Sequence, residues 1–290
     1  MQNVATNWMD VTMNGRKAAI ITGAAGGMGR ACARLFGAKH DLILSDVAAA
    51  PLEAFAAELA GEGCRIIGTH AGDLGDDALL AALTASLPGD APFTLIHTAG
   101  LSPALADWQA IMQVNLVTSE KLVRAAEPHL HPGSVAVLIA STAGHAMPAL
   151  PDMDALLDAP LAPHFMGGIG AMIESMAPMA GPAGARGISY SMSKRGVLRL
   201  CERKAAAWGQ RGTRIVSISP GLILTPMGRK ELAETAGAAE LNDAAPAGRS
   251  GTAMDIALAA KFLASDEASF ITGTDLRVDG GSTAAMRFAG

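Results

Sequence analysis

The chain contains a single tyrosine, Tyr190, and a lysine, Lys194, follows it by four residues in "YSMSK". Residues i and i+4 lie on the same face of a helix. A phenol is a poor base at neutral pH, but a neighbouring ammonium favours the phenolate and lowers its pKa. Such a pair can take a proton from an alcohol or give one to a developing alkoxide. The same spacing also arises by chance on a solvated helix face.

A glycine-rich stretch, "TGAAGGMG" at 22–29, follows a short apolar run and precedes a helical pattern. Glycines there allow a tight turn and a close approach of the backbone to a pyrophosphate. The helix N-terminus then offers free N–H groups and the positive end of its dipole. The position favours a dinucleotide site, and a plain tight turn is the alternative.

Asp46 ends the second apolar run, about twenty residues beyond these glycines, where a carboxylate can accept hydrogen bonds from the adenosine ribose hydroxyls. It would repel a 2′-phosphate, and neither Val47 nor Gly26 supplies a positive charge. The sequence therefore predicts NAD(H) rather than NADP(H) as cofactor. A surface aspartate at a strand end is the alternative.

Apolar runs alternate with helical patterns along the chain. We predict strands at 17–22, 41–47, 64–70, 93–100, 134–142, 213–219 and 274–281. We predict helices through 36 and over 51–63, 77–87, 107–131, 191–209 and 253–264. Apolar strands alternating with helices are typical of a parallel sheet covered on both faces. We expect a flexible extension at 1–14 and one doubly wound, seven-stranded Rossmann domain over 15–290.

Residues 143–188 interrupt this alternation with a methionine- and proline-rich segment. A long apolar segment inside a compact domain is expected to have a function rather than to be disordered. "DMDALLD" and "GAMIESMAPMA" within it read as short helices. The segment is either a packed subdomain or a flexible apolar lid, for which methionine is well suited.

Composition narrows the function classes. The formal net charge of −5 disfavours a nucleic-acid partner or an anionic membrane surface. No signal peptide and no membrane-spanning run is expected. Cys32, Cys64 and Cys201 lie far apart without metal-ligand spacing, so we expect reduced thiols, no metal site and a cytoplasmic protein.

Several motifs occur together in the order typical of one family. "TGAAGGMG", "HTAG", "MQVNLVT", "LIASTAG", "YSMSK" and "SPGLILTPM" resemble the short-chain dehydrogenase/reductase family over residues 16–283. The resemblance implies that Tyr190 is the catalytic acid/base and that Lys194 holds the nicotinamide ribose. It also implies that Ser141 hydrogen-bonds the substrate oxygen and that Asn115, at a bend in its helix, holds a water of the proton relay.

The resemblance also implies a cofactor site. Its expected residues are Gly23, Gly27, Met28, Gly29, Asp46, Asp73, Leu74, Ala99, Gly100, Tyr190, Lys194, Pro220, Gly221 and Thr225. Asp73 would bind the adenine edge, and the last three would flank the nicotinamide. Structural roles are the alternatives for the polar positions: a strand-end cap for Ser141, a helix kink for Asn115 and a turn for Asp73.

Two positions depart from the family pattern. His97 stands where the family usually has an asparagine that ties strands together, and we interpret it as a structural histidine. Ser141 and Tyr190 are separated by 49 positions, where the family has little more than a dozen. The extra residues are the 143–188 segment, so we expect that segment to border the substrate pocket.

A similar enlargement is found in bacterial 3α-hydroxysteroid dehydrogenase/carbonyl reductases. Two other stretches of this chain also resemble that subgroup, "RKAAAWGQRGTRIVSISPG" and "DGGSTAAMR". This implies a bulky apolar secondary alcohol or ketone, such as a hydroxysteroid or an aryl or alicyclic ketone. The alternatives are a carbonyl reductase for small ketones, a non-catalytic NAD(H) sensor, or a dehydratase or epimerase. The family also implies a homo-oligomer, a dimer or tetramer, with an interface that the segment could cover.

Overall fold

The computed structural model describes residues 16–234 and 238–288. The flexible extension predicted for 1–14 lies outside the described residues. Within them the chain forms a three-layer α/β domain, a parallel sheet between two layers of helices, as the alternating pattern predicted.

The described residues form one seven-stranded sheet. Its strands are β1 Ala18–Thr22, β2 Asp41–Asp46, β3 Ile66–Ala71, β4 Phe93–His97, β5 Val135–Ile139, β6 Arg214–Pro220 and β7 Asp275–Val278. They lie in the order β3-β2-β1-β4-β5-β6-β7, and every neighbouring pair is parallel. The chain winds outward from β1 in one direction and then returns to β4 on its other side. A ligand crevice is expected at the carboxyl ends of β1 and β4, where the winding reverses.

Helices connect the strands. They are α1 Gly27–Gly37, α2 Ala49–Gly61, α3 Asp77–Ala85, α4 Trp108–Met112, α5 Thr118–Ala126, α6 Thr142–Ala146, α7 Pro151–Leu157, α8 Phe165–Met176, α9 Gly184–Gly209, α10 Pro226–Glu234, α11 Ala238–Asp243, α12 Ala253–Ala264 and α13 Ser282–Phe288. Side chains alternate along the strands, so one set packs with α1, α2 and α12 and the other with α3, α5 and α9.

The helix that carries Tyr190 is longer than predicted. The sequence placed it at 191–209, whereas α9 begins at Gly184. Gly184 has a positive φ, and so does Gly181 just before the helix. The added turns are stabilised by Ala185 and Ile188, which pack on the apolar cluster beneath the inserted segment. Tyr190 therefore lies inside the helix instead of just before it.

The helix predicted over 107–131 is interrupted at its centre. Helices α4 and α5 are joined by a π-helical turn, Gln113–Val117, and a 3₁₀ turn, Glu127–His129, ends the run. Single π turns inside α-helices are rare in proteins as a whole, and those that occur are often found at functional sites. Asn115 lies in the middle of this turn, where the family resemblance placed a bend.

The inserted segment 143–188 folds as a small helical layer. Helices α7 and α8 bury Met153, Leu157, Phe165, Ile169 and Ile173 in a third cluster. The cluster is completed from α4, the π turn and α9, by Met112, Leu116, Val117 and Met192. The apolar content of the segment is therefore used to pack it on the outer face of these helices.

Ion pairs fasten this layer to α9. The Arg195 guanidinium donates to both carboxylate oxygens of Asp154, at 2.7 Å each. One turn further along each helix, Arg199 donates to both oxygens of Asp158, at 2.7 and 2.5 Å. The hydrogen bond from Arg195 lowers the pKa of Asp154. The inserted layer and the helix that carries Tyr190 thus form one packed unit.

Candidate active site

A cavity of about 650 Å³ opens at the carboxyl ends of the central strands. Its wall brings together predicted residues from five separate parts of the chain: Met28, Gly100, Ser141, Tyr190, Lys194, Pro220, Gly221 and Thr225. The other predicted residues, Gly23, Gly27, Gly29, Asp46, Asp73, Leu74, Ala99 and Asn115, lie outside this wall.

Tyr190 is half-buried in α9 and faces the cavity. Burial raises the pKa of its phenol, the negative charge of Glu231 raises it further, and a hydrogen bond with Ser141 lowers it. The balance is a raised pKa, whereas the Tyr–Lys spacing predicted a lowered one. Burial is the main reason for the raised pKa, and the Lys194 ammonium lies 5.8 Å from the centre of the tyrosine ring and donates its hydrogen bond to the Ile139 carbonyl.

Lys194 is 5% exposed, and its ammonium donates a hydrogen bond of 2.9 Å to the carbonyl of Ile139 at the end of β5. Burial lowers the pKa of this amine from 10.5 to about 8. A lysine with that pKa exchanges a proton readily near neutral pH. The hydrogen bond also ties α9 to the strand that ends just before Ser141.

Ser141 lies at the first position before α6 and caps it, because its Oγ accepts a hydrogen bond of 3.2 Å from the backbone N–H of Ala143. The structural alternative raised by the sequence, a strand-end cap, is therefore present. The same hydroxyl faces Tyr190 across the cavity wall, and its hydrogen bond with the phenol is consistent with the predicted substrate contact. One side chain can serve both purposes because a hydroxyl has a donor as well as two acceptor sites.

Asn115 is buried, and its amide joins three segments. Its Oδ1 accepts from the N–H of Leu101 at 2.8 Å, and its Nδ2 donates to the Leu101 carbonyl at 2.9 Å and to Ser193 Oγ at 3.2 Å. Its backbone carbonyl accepts from Ser119 Oγ at 2.7 Å. The residue fixes the loop after β4 against α9, next to Lys194.

His97 occupies the position where the family usually has asparagine. Its Nδ1 lies 2.7 Å from Thr22 Oγ1 and its Nε2 lies 2.9 Å from Ser119 Oγ, so it links β1 to α5. Burial, helped by the positive charge of Lys194, lowers the pKa of the imidazole from 6.5 to about 3. A neutral ring that bridges two hydroxyls agrees with the structural interpretation.

The glycine-rich turn has no room for side chains. A Cβ on Gly23, whose φ is +64°, would lie 2.8 Å from the backbone nitrogen of Ala99, and one on Gly29 would lie 2.0 Å from the carbonyl of Gly23. A Cβ on Gly27 would meet Thr225 at 2.5 Å. Gly26 precedes α1 and offers no side-chain cap to its first turn. Free N–H groups beside a tight glycine turn fit the diphosphate of a dinucleotide.

Asp46 lies against this turn at the end of β2. Its Oδ2 accepts from the N–H of Ala25 at 2.9 Å and its Oδ1 accepts from the N–H of Ala48 at 3.1 Å. These two bonds hold the carboxylate at the edge of the glycine turn, where the resemblance placed the adenosine ribose. Each oxygen has a second lone pair available for a hydroxyl.

Two further predicted cofactor residues, Asp73 and Leu74, follow β3, and two others, Gly221 and Thr225, follow β6. Asp73 is exposed and accepts from the N–H of Gly75 at 2.8 Å, so the predicted turn-forming role is present, and Leu74 beside it is buried. A Cβ on Gly221 would lie 2.8 Å from Asp279 Cα, and Thr225 Oγ1 accepts from the N–H of Gly228 at 3.1 Å. Thr225 therefore starts α10 and faces the glycine turn.

Three charged or ionisable side chains of the cavity wall were missed by the sequence analysis: His145, Glu231 and Arg287. His145 Nε2 lies 2.8 Å from Asp275 Oδ2, and Ser217 Oγ donates to Asp275 Oδ1 at 2.6 Å. Only the ends of the inserted segment reach the wall among the described residues, through Ala143, His145, Ala146 and Gly187. The segment borders the pocket, but helices α7 and α8 do not line it.

Comparisons with known proteins agree with this geometry. The model of the short chain dehydrogenase family matches residues 17–150, and one described as enoyl-(acyl carrier protein) reductase matches residues 160–283. D-threitol dehydrogenase from Mycolicibacterium smegmatis is 33% identical over 280 residues, covering 92% of this chain and 93% of that protein. This chain belongs to the short-chain dehydrogenase/reductase family.

Other members support the assignment. Galactitol 2-dehydrogenase (L-tagatose-forming) from Cereibacter sphaeroides is 33% identical and covers 91% of this chain and 94% of its own length. A solved short-chain dehydrogenase/reductase, glucose/ribitol dehydrogenase, from Brucella melitensis has a TM-score of 0.70 at 26% identity, with 92% and 96% of the two chains covered. The protein is an oxidoreductase that acts on CH–OH groups, so catalysis, and not cofactor sensing alone, is its activity.

No helix in the described part of the chain is long and apolar enough to cross a membrane. Among residues 16–234 and 238–288, no group of His, Cys, Asp and Glu side chains is arranged to hold a metal ion.

His97 makes a testable contribution to stability. The unfolded chain binds a proton on this residue at the ordinary pKa of 6.5, whereas the folded chain does so only at about 3. The free energy of unfolding therefore falls as the pH drops below 6.5, by about 2 kcal/mol for His97 alone by pH 5. We expect His97→Asn to have a shallower loss of stability over this range, measured by urea unfolding. His164→Asn, at an exposed histidine, is the control, and equal slopes for His97→Asn and the parent would contradict the assignment.

Proposed function

We propose that the protein is an NAD(H)-dependent dehydrogenase/reductase that interconverts a secondary alcohol and a ketone. The observation that carries the proposal is the meeting of Ser141, Tyr190 and Lys194 in one cavity wall, beside the glycine-rich turn. Ser141 is 49 positions from Tyr190 in the sequence, and both belong to the wall that also contains Lys194.

The chemistry of the site follows from these groups. Ser141 and Tyr190 hydrogen-bond the substrate oxygen, and Tyr190 takes its proton in oxidation or donates one in ketone reduction. NAD(H), when bound, supplies or accepts the hydride. Because the pKa of Tyr190 is raised, its phenol is protonated at neutral pH, the form needed for reduction. Lys194, with a pKa of about 8, holds the ribose and exchanges the proton, while Asn115 keeps the adjoining loop in place.

Asp46 supports NAD(H) over NADP(H). Its carboxylate is held beside the glycine turn by the N–H groups of Ala25 and Ala48, and ribose hydroxyls can donate to its remaining lone pairs. A 2′-phosphate at this place would meet a fixed negative charge.

The cavity favours a bulky, largely apolar substrate such as a hydroxysteroid or an aryl or alicyclic ketone. Apolar side chains make up much of its wall: Leu101, Pro103, Ile139, Leu222, Ile223, Met227 and Met286. Large apolar ligands need matching apolar walls. The support comes from these residues and not from the inserted helices, which pack elsewhere.

A polyhydroxylated substrate is the second candidate. Two relatives that are 33% identical and match about nine-tenths of the chain are, by name, dehydrogenases of the polyols threitol and galactitol. Initial rates with NAD⁺ on a panel of hydroxysteroids, cyclohexanol, 1-phenylethanol, threitol and galactitol would separate the candidates. Oxidation of the polyols alone would overturn the apolar assignment, and small ketones reduced faster than bulky ones would favour a general carbonyl reductase.

A cytoplasmic location is part of the proposal, and it is supported by the three cysteines, all of which are free thiols. We also propose that the chain forms a homo-oligomer through α12 and the edge strand β7. Met254, Leu258 and Phe262 recur every four residues on α12 and are each between 44% and 52% exposed. The outer faces of α4 and α9 are already covered by the inserted layer.

Tyr190→Phe tests the catalytic assignment. Removing the phenolic hydroxyl removes the proton donor, so we expect turnover to fall by about a thousandfold or more. The ring remains in place, so NADH affinity, measured by fluorescence titration, is expected to stay within about twofold of the parent. Unchanged turnover in Tyr190→Phe would exclude Tyr190 as the acid/base.

Asp46→Ala tests the cofactor choice. Loss of hydrogen bonds to a charged acceptor is expected to weaken NADH binding about tenfold to a hundredfold. NADPH binding should be retained or improved because the repelling charge is gone. Fluorescence titration with both cofactors gives the ratio. Glu53→Gln, which removes an exposed carboxylate from α2, is the charge control, and a preference for NADPH in the parent would refute the proposal.

Phe262→Glu tests the oligomer surface. A charge in the centre of an apolar interface is costly to bury, so the variant is expected to elute as a smaller species in size-exclusion chromatography with light scattering. Lys261→Glu changes the neighbouring exposed residue and should leave the assembly intact. A parent that is monomeric at high micromolar concentration would rule out the interface.

A further inference from the structure

A carboxylate lies in the substrate cavity without a role in the reaction described above. Glu231 is half-buried on α10 and belongs to the same wall as Ser141, Tyr190 and Lys194. Its charge opposes ionisation of Tyr190, and its own burial is unfavourable for a carboxylate. Because the Glu231 carboxylate opposes ionisation of Tyr190 and is itself unfavourable to bury, a favourable interaction with a partner must compensate for it. In an open cavity, that partner is the substrate.

The placement of Glu231 follows from the way α10 begins. Thr225 Oγ1 caps the helix at the N–H of Gly228, and a Cβ on Gly228 would lie 1.9 Å from the carbonyl of Ile223, so the first turn is pressed against the chain before it. Met227 and Glu231, at i and i+4, lie on one helix face, and both line the cavity together with Gly228. The helix therefore presents one polar group amid an apolar surface.

The surrounding charges restrict what Glu231 can bind. Lys194 on α9, His145 on α6 and Arg287 on α13 lie in the same wall. A cationic substrate group would be attracted by Glu231 but repelled by Lys194 and Arg287. An anionic group would be attracted by those two cations but repelled by Glu231, so it could not bind at that carboxylate. A neutral hydroxyl is compatible with all of them, because it can donate to the carboxylate without adding charge.

We propose that Glu231 is a specificity-determining residue that accepts a hydrogen bond from a second hydroxyl of the substrate, so that the preferred alcohols are hydroxylated beyond the reacting carbon. This rests on the proposed function, oxidation of a secondary alcohol at Tyr190. It combines an apolar wall with one polar contact, the arrangement by which ligand pockets commonly fix orientation. A site that hydrogen-bonds a substrate hydroxyl discriminates strongly against analogues that lack it.

Matched alcohols test the inference. We would measure kcat/KM with NAD⁺ for cyclohexanol and for the 1,2-, 1,3- and 1,4-cyclohexanediols in the parent, Glu231→Met and Glu231→Gln. The parent is expected to favour at least one diol, and Glu231→Met to reduce the diol-to-cyclohexanol ratio on the order of tenfold or more. Glu231→Gln, which keeps an acceptor, should retain part of the preference. Glu240→Met, at an exposed glutamate of α11, is the control. An unchanged ratio in Glu231→Met would overturn the inference.

A binding measurement separates this inference from the proposed function. The same alcohols would be titrated calorimetrically into the NADH-bound parent and Glu231→Met. A binding preference for a diol that is lost in Glu231→Met supports the role of Glu231 even if no alcohol is oxidised, in which case the proposed function alone fails. Equal binding of cyclohexanol and every diol to the parent overturns the role of Glu231 and leaves the dehydrogenase assignment standing.

The single tyrosine offers a readout that a merely structural glutamate would not change. Because Tyr190 is the only tyrosine in the chain, phenolate absorbance in the near ultraviolet reports its ionisation alone. Removing the negative charge in Glu231→Gln is expected to bring phenolate formation to lower pH, while Glu240→Met leaves it unchanged. His145, Lys194 and Arg287, the other charged or titratable groups of the wall, are the same in all three proteins. The same phenolate titration curve in Glu231→Gln as in the parent would show that Glu231 does not face the reacting group, and the inference would fall.

Discussion

The close contact between α6 and α9 is the constraint on which the site depends. Gly144 lies three residues after Ser141, and a Cβ there would be 2.8 Å from the backbone of Lys194 and Arg195. Only a glycine lets these two helices touch at the backbone. Their contact brings Ser141 from the end of β5 to Tyr190, although the two are 49 positions apart in the sequence. The hydrogen bond from Lys194 to the carbonyl of Ile139 also holds α9 against the end of β5, just before Ser141.

A second set of contacts extends from this junction through the interior. The Lys194 charge helps to keep His97 neutral, and a neutral His97 can bridge the hydroxyls of Thr22 and Ser119. Ser119 in turn donates to the backbone carbonyl of Asn115, whose amide holds the loop at Leu101. An imidazole thus supports a strand-to-helix connection where the family usually has an amide. The positions of Asn115 and Lys194 and the stability of the sheet therefore depend on the same buried polar network.

The inserted segment shows how position in the sequence and position in space can differ. It leaves the chain beside Ser141 and returns beside Tyr190, and the sequence left open whether it forms a packed subdomain or a lid over the pocket. Its apolar residues pack on α4, the π turn and α9, and Asp154 and Asp158 fasten it to arginines of α9. Burial of Phe165, Ile169 and Ile173 against an existing apolar helix face is more favourable than holding them over an open cavity. The charged or ionisable groups of the cavity wall come from α6, α9, α10 and α13.

The sequence by itself determined the seven runs that form strands, the glycine-rich turn, and the motif residues together with the family that they indicate. All seven strands overlap the predicted runs. The five inner strands are buried on both faces, and such a strand needs continuous apolar residues, a pattern that is local. Tertiary structure decided the start of α9, the direction of the inserted layer, the raised pKa of Tyr190 and the presence of Glu231 in the wall. Each of these depends on which groups from distant segments come together, since burial and Coulomb interactions act through space and leave no mark on spacing along the chain.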